Sequence, residues 1–86
     1  MPTISVFYGI VIRMFVKDHP PPHFHALYGE HRARVSIETG ALIDGDLPPR
    51  AARLVREWTV LRRSELEENW RLAERMEPLV PVEPLP

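Results

Sequence analysis

Apolar and polar positions alternate along the first half of the chain and recur at helical spacing along the second. Ile4 to Phe7 and Ile10 to Val16 are β-rich runs, and Tyr8-Gly9 between them predicts a tight turn. In the second run Ile10, Ile12, Met14 and Val16 fall on one face, with Arg13 and Lys17 on the other. His23 to Tyr28 and His31 to Glu38 flank Gly29-Glu30, where glycine suits a hairpin turn. A two-residue loop there pairs His25 with Arg34, Phe24 with Val35 and His23 with Ser36. Phe24, Ala26, Tyr28, Ala33, Val35 and Ile37 then share one face. His23, His25, Leu27, Arg32, Arg34, Ser36 and Glu38 share the other, and a one-residue slip would mix the two sets. Thr39-Gly40 predicts another turn, followed by a short strand from Ala41 to Asp44 that sets Leu42 near Ile37.

After Asp44-Gly45-Asp46 the period changes. Asp46 is placed to cap a helix whose first turn holds Pro48 and Pro49, where missing N–H groups cost least. Ala51, Leu54, Val55, Trp58 and Leu61 form its apolar stripe. Ser64-Glu65-Leu66-Glu67 reads as a capping box that starts a second helix, with Leu66, Trp70, Ala73 and Met76 as its stripe. Both tryptophans are expected in the core. From Pro78 the proline spacing forbids a helix and predicts a frayed tail or an extended strap on a partner. The expected fold is α+β: an antiparallel meander of four to five strands, covered on one face by two C-terminal helices. It forms one domain over residues 1–77, with the sheet over 3–44, helices at about 47–63 and 65–77, and a Pro-rich tail over 78–86.

Eighty-six residues bury a modest core, roughly 60–65% of the unfolded surface at this size. An apolar tail on so small a core makes a homodimer one expectation. The absence of cysteine leaves neither disulfides nor thiolate metal sites. No basic leader precedes an apolar core at the N-terminus, and no apolar run nears the ~20 residues of a membrane span. A soluble, cytoplasmic protein is therefore expected. Net charge is −1, which argues against general coating of nucleic acid. Ten arginines stand against the single Lys17, a skew that GC-rich coding also produces but that favours forked contacts to carboxylate or phosphate. Arg50, Arg53 and Arg56 lie among many glutamates and read as a solvated helix flank rather than a DNA-binding one.

The densest chemistry lies in Asp18-His19-Pro20-Pro21-Pro22-His23-Phe24-His25, with three of the four histidines and a rigid triproline. Alternation aims His23 and His25 the same way. As metal ligands they would share an ion, with Asp18 or His19 as a third donor. The stiff spacer holds His19 away unless the chain turns, and Arg32 and Arg34 would repel a cation. As acid and base they would act on a phosphate. His23, His25 and Arg34 would then be catalytic, while Arg32, Arg13, Ser36 and Glu38 bind and orient the substrate. That set matches the parts of a small metal-independent ribonuclease needing no cofactor. The plain alternative is a wet sheet face, or one that docks a partner.

Ile4-Ser5, Phe7-Tyr8-Gly9-Ile10, Asp18-His19 and Pro21-Pro22-His23-Phe24-His25-Ala26 resemble a family of small bacterial proteins catalogued as domain of unknown function 4160. So do Ser36-Ile37-Glu38-Thr39-Gly40, Glu57-Trp58 and Glu68-Asn69-Trp70, so the resemblance covers nearly the whole chain. It implies a toxin component of a type II toxin–antitoxin pair, with a cognate small antitoxin-like protein as partner. RNA is one target such a protein could act on.

Overall fold

The computed structural model describes residues 3–86; Met1 and Pro2, the start of the expected domain, lie outside the described residues. Five strands, β1 (Thr3–Phe7), β2 (Ile10–Arg13), β3 (His23–Tyr28), β4 (His31–Ser36) and β5 (Leu42–Gly45), form one antiparallel sheet in chain order. Two helices follow, α1 (Pro49–Leu61) and α2 (Arg63–Glu74). The β3–β4 register is the one read from the hairpin turn, with His23 opposite Ser36, His25 opposite Arg34 and Tyr28 opposite His31. Among the described residues no helix is long and apolar enough to cross a membrane.

The apolar face of the sheet supplies Ile4, Phe7, Ile10, Ile12, Phe24, Ala26, Ala33, Val35 and Ile37 to the core. Trp58 of α1 seats on it without any exposed surface, its ring 5.0 Å from that of Phe7 and 5.5 Å from that of Phe24. Burying an aromatic side chain of this size is among the largest single contributions a small core can make.

Several details differ from the sequence expectation, each for a local reason. Strand β2 ends at Arg13: Met14 is still buried, but Lys17 takes a positive φ of 57° and Val16 is left exposed. Asp46 caps no helix; its carboxylate is held by His31 Nδ1 at 2.9 Å, and Pro48 occupies the cap position with Pro49 as the first helical residue. The break between helices is real but lies at Arg62, ahead of Ser64, with no side-chain cap. Leu61 and Met76 end their stripes in solvent, because α1 stops at Leu61 and Met76 has left α2 with φ 58°. Thr59 and Asn69 are buried in their place.

Residues 78–86 run extended across the chain's own fold. Val82 is buried and its N–H donates to the Ile4 carbonyl at 2.8 Å. Trp58 Nε1 donates to the Glu83 carbonyl at 2.8 Å. Asn69 grips Val80 from both sides, its amide donating to the Val80 carbonyl and accepting from the Val80 N–H, each at 2.8 Å. A primary amide can replace a missing backbone partner in this way, which explains a buried asparagine in an otherwise apolar stripe. The strap thus ties α1, α2 and β1 together.

Candidate functional site

The polar face of the sheet carries one row of side chains across four strands. The pairings Arg13–His25, His25–Arg34 and Arg34–Asp44 put four charged or titratable groups side by side. Directly opposite residues in an antiparallel sheet share a face and sit close enough to interact. At the end of the row Arg34 is held by Asp44, with Nε 3.0 and 2.9 Å from the two carboxylate oxygens and a further bond from Nη2. The hydrogen bonds from Arg34 hold the Asp44 carboxyl below its ordinary value and raise the guanidinium. Asp44 reaches Arg34 because Gly45, at φ 80°, lets β5 lie against β4; a Cβ there would come within 2.8 Å of the Ala33 Cα.

Beneath His25 the loop between β2 and β3 brings a carboxylate. Asp18 Oδ2 lies 2.9 Å from His23 Nε2 and 3.2 Å from His25 Nε2. The other nitrogen of His23 is 2.8 Å from the Pro21 carbonyl, which can only accept, so His23 Nδ1 carries a proton. The triproline is pinned in turn, since the Pro22 carbonyl accepts from the Ile37 N–H at 3.1 Å. Burial pushes the Asp18 carboxyl upward, but hydrogen bonds from His25 and the His19 N–H, with the charge of His23, hold it below the ordinary value.

His23 and His25 share a face yet differ in surroundings. His23 is only 1% exposed, sealed by Trp70 of α2 with ring centroids 5.3 Å apart. The Lys17 N–H donates to the Ala73 carbonyl at 3.2 Å, so the loop bearing Asp18 is fastened to the end of that helix. His25 stays half-buried, with Phe15 edge-on to its ring at 4.3 Å. It lines an open pocket of about 260 Å³ together with Arg13, Phe15, Leu27, Arg32, Arg34 and Asp44. Arg13 Nε is buried there without a hydrogen-bond partner among the described residues.

The residues singled out in the sequence are distributed accordingly. His25, Arg13, Arg32 and Arg34 come together at the pocket, and Asp18, His23 and His25 come together beneath it. His19 is exposed and contributes its backbone N–H to Asp18 Oδ1 at 2.9 Å. Ser36 Oγ accepts from the Thr39 N–H, closing the following turn. Glu38 is exposed beyond the end of β4 and lines no part of the pocket. Sequence reasoning missed Asp44, Phe15 and Trp70 as parts of the site. Asp44 stands against Arg34 through a register shift between Arg34 and Val35, an irregularity that the turn does not encode. Nothing in the helical stripe says that Trp70 reaches a histidine.

Fold and site together define a small α+β protein whose Asp–His–His cluster adjoins an arginine-lined pocket. The chain belongs to the family described as domain of unknown function DUF4160, whose match covers residues 9–71. That span holds the cluster, the pocket and most of both helices. No curated protein and no solved structure matches the chain.

Proposed function

We propose that this chain is the toxin-like member of a cytoplasmic toxin–antitoxin pair, and that it acts on RNA through the arginine pocket beside His25. The observation that carries the reading is the pocket itself: three guanidiniums and an imidazole converge on a concave, half-apolar surface. Arginine forks suit phosphate oxygens, and Arg13 Nε has no hydrogen-bond partner among the described residues. Arg32 has no ion-pair partner among the described residues, whereas Arg34 is partly neutralised by Asp44. The strongest pull on a phosphate therefore comes from Arg13 and Arg32, with Arg34 setting the far wall. Leu27 and Phe15 give the pocket an apolar floor on which a base or ribose can rest.

His25 is the reactive end. Asp18 fixes its ring through Nε2, and Nδ1 has no partner among the described residues. That nitrogen is free to hydrogen-bond to a ligand hydroxyl or phosphate and to exchange a proton with it. The sealed His23 does not line the pocket; it holds Asp18 in place for His25.

Binding of a short fluorescent oligoribonucleotide tests this directly. Wild-type protein is expected to bind with steep salt dependence, and Arg13→Ala/Arg32→Ala to bind at least about tenfold more weakly with a shallower salt slope. Asp44→Ala, which frees Arg34, is expected to tighten binding. Equal affinity for the wild type and the double-arginine variant would remove the reading.

A second reading, docking of a protein partner without chemistry, draws on an apolar groove between α1 and the strap. Val60, Leu61, Leu85 and Pro86 line it, with Val60 and Leu61 both more than half exposed. Docking tolerates His25→Asn with partial loss, whereas chemistry at the imidazole does not.

A further inference from the structure

With a neutral His23, the Asp18–His23–His25 cluster is one positive charge short. His23 Nδ1 must donate to the Pro21 carbonyl, so in the neutral ring Nε2 is a bare lone pair. That lone pair faces a carboxylate oxygen at 2.9 Å, and a second imidazole nitrogen faces the same oxygen at 3.2 Å. Acceptor against acceptor, with the His23 side chain fully out of solvent, is costly unless something positive lies between them. A second proton on His23 is one answer. A metal ion is the other, and several features of the cluster suit it.

One donor atom from each of the three residues lies within 4.8 Å of the others. Donors around a transition ion at ~2.0–2.1 Å lie roughly 2.9 Å apart at right angles and roughly 3.3 Å apart at tetrahedral angles. The two imidazole–carboxylate separations fall in that range. His23 also has the outer arrangement of a metal-bound histidine: the nitrogen away from the cluster donates to a backbone carbonyl, fixing ring and tautomer. Its support is rigid, with the triproline on one side and Trp70 on the other. Asp18 and His25, both half-buried, form the open side. The objection from sequence is repulsion by Arg32 and Arg34: Asp44 neutralises the Arg34 guanidinium, and Arg32 stands opposite Leu27 rather than opposite either histidine.

We propose that Asp18, His23 and His25 bind one divalent first-row transition ion, with zinc the reference case. Two imidazoles and one carboxylate suit zinc, nickel, cobalt or iron(II), whereas magnesium and calcium call for more oxygen. Three protein ligands leave at least one position open on the exposed side. The ion site stands on the geometry of the cluster alone; only its use against a phosphate rests on the RNA reading above. In that use the ion polarises a phosphate that Arg13 and Arg32 hold, and His25 Nδ1–H serves as a donor to it.

The test is titration of the metal-free full-length chain with zinc by calorimetry, and with cobalt(II) by visible absorption, using magnesium as a control. The wild type is expected to take up one equivalent of zinc and to give a ligand-field cobalt spectrum. Asp18→Ala and His25→Ala are expected to bind zinc at least about a hundredfold more weakly, beyond the loss of an outer-shell partner. These two are chosen because His23→Ala removes a buried group and can unfold the chain; circular dichroism confirms that they stay folded. His31→Ala, at a surface histidine paired with Asp46, is expected to bind like the wild type. Zinc uptake that is the same in Asp18→Ala as in the wild type, or that falls equally in His31→Ala, would overturn the proposal. Oligoribonucleotide binding is read separately, in chelator. Stoichiometric zinc without RNA binding keeps the ion and removes the RNA reading. RNA binding with no zinc uptake does the reverse.

Discussion

Trp58→Ala is expected to lower the unfolding free energy by about 3–5 kcal/mol, the usual cost of truncating a fully buried tryptophan. A domain of this size has about 5–15 kcal/mol in total, so the variant should be marginal or unfolded at 37 °C. Three contacts account for the size of the effect. The indole packs on Phe7 and Phe24, which belong to different strands, and so binds α1 to the sheet. It has no exposed surface, so its removal leaves a cavity that stiff aromatic neighbours cannot collapse. Its Nε1 also holds the strap through the Glu83 carbonyl, coupling residues 78–86 to the core. Trp58→Phe keeps the ring contacts but loses that bond, and is expected to cost less than the alanine change. Urea denaturation followed by circular dichroism measures all three proteins. A loss below about 1 kcal/mol for Trp58→Ala would mean that the indole is not buried as described.

His23→Ala is expected to cost about 2–4 kcal/mol, although a histidine on the polar side of a sheet would ordinarily be replaceable. The variant opens a cavity against Trp70 and leaves the Pro21 carbonyl without its donor. It also releases Asp18 from one of its two imidazoles. His25→Ala removes a ring that is still partly exposed and has no buried partner to orphan, and its cost should stay near or below about 1 kcal/mol. The contrast separates two roles that the spacing of the histidines makes look alike. His23 is expected to be needed for stability and for the cluster, and His25 for activity with the fold intact. Thermal melts of both variants, with activity measured on the soluble fraction, check the assignment. Equal destabilisation by the two changes would contradict it.

The difference between these histidines also shows where the sequence stops being informative. Alternation in β3 and β4, with glycine in the turn, was enough to set the register and to place His25 beside Arg34. Those are local rules, and they hold because one face of the hairpin must be apolar throughout. The burial of His23 depends on α2, more than forty residues later in the chain, returning so that Trp70 lands on the imidazole. No periodicity encodes such a contact. Asp18 follows a similar logic: a polyproline spacer suggests distance, yet the loop folds back and the carboxylate meets both rings. The strap was legible as extended chain from its prolines. Its seat on Ile4, Trp58 and Asn69 required the fold, because each partner lies in a different element. Cap positions were the least legible, since Asp46 was drawn to His31 and left the helix start to two prolines.

The proposed function requires the Asp18–His23–His25 cluster and the arginine pocket to work as one site. Growth of a bacterial host after induced expression tests it most directly, comparing wild type, His25→Ala and Arg13→Ala/Arg32→Ala at matched soluble yield. Arrest by the wild type, relieved by either variant and accompanied by loss of RNA integrity only in the wild type, is the predicted result. Arrest of equal strength by all three proteins would place any toxicity outside this pocket and contradict the account.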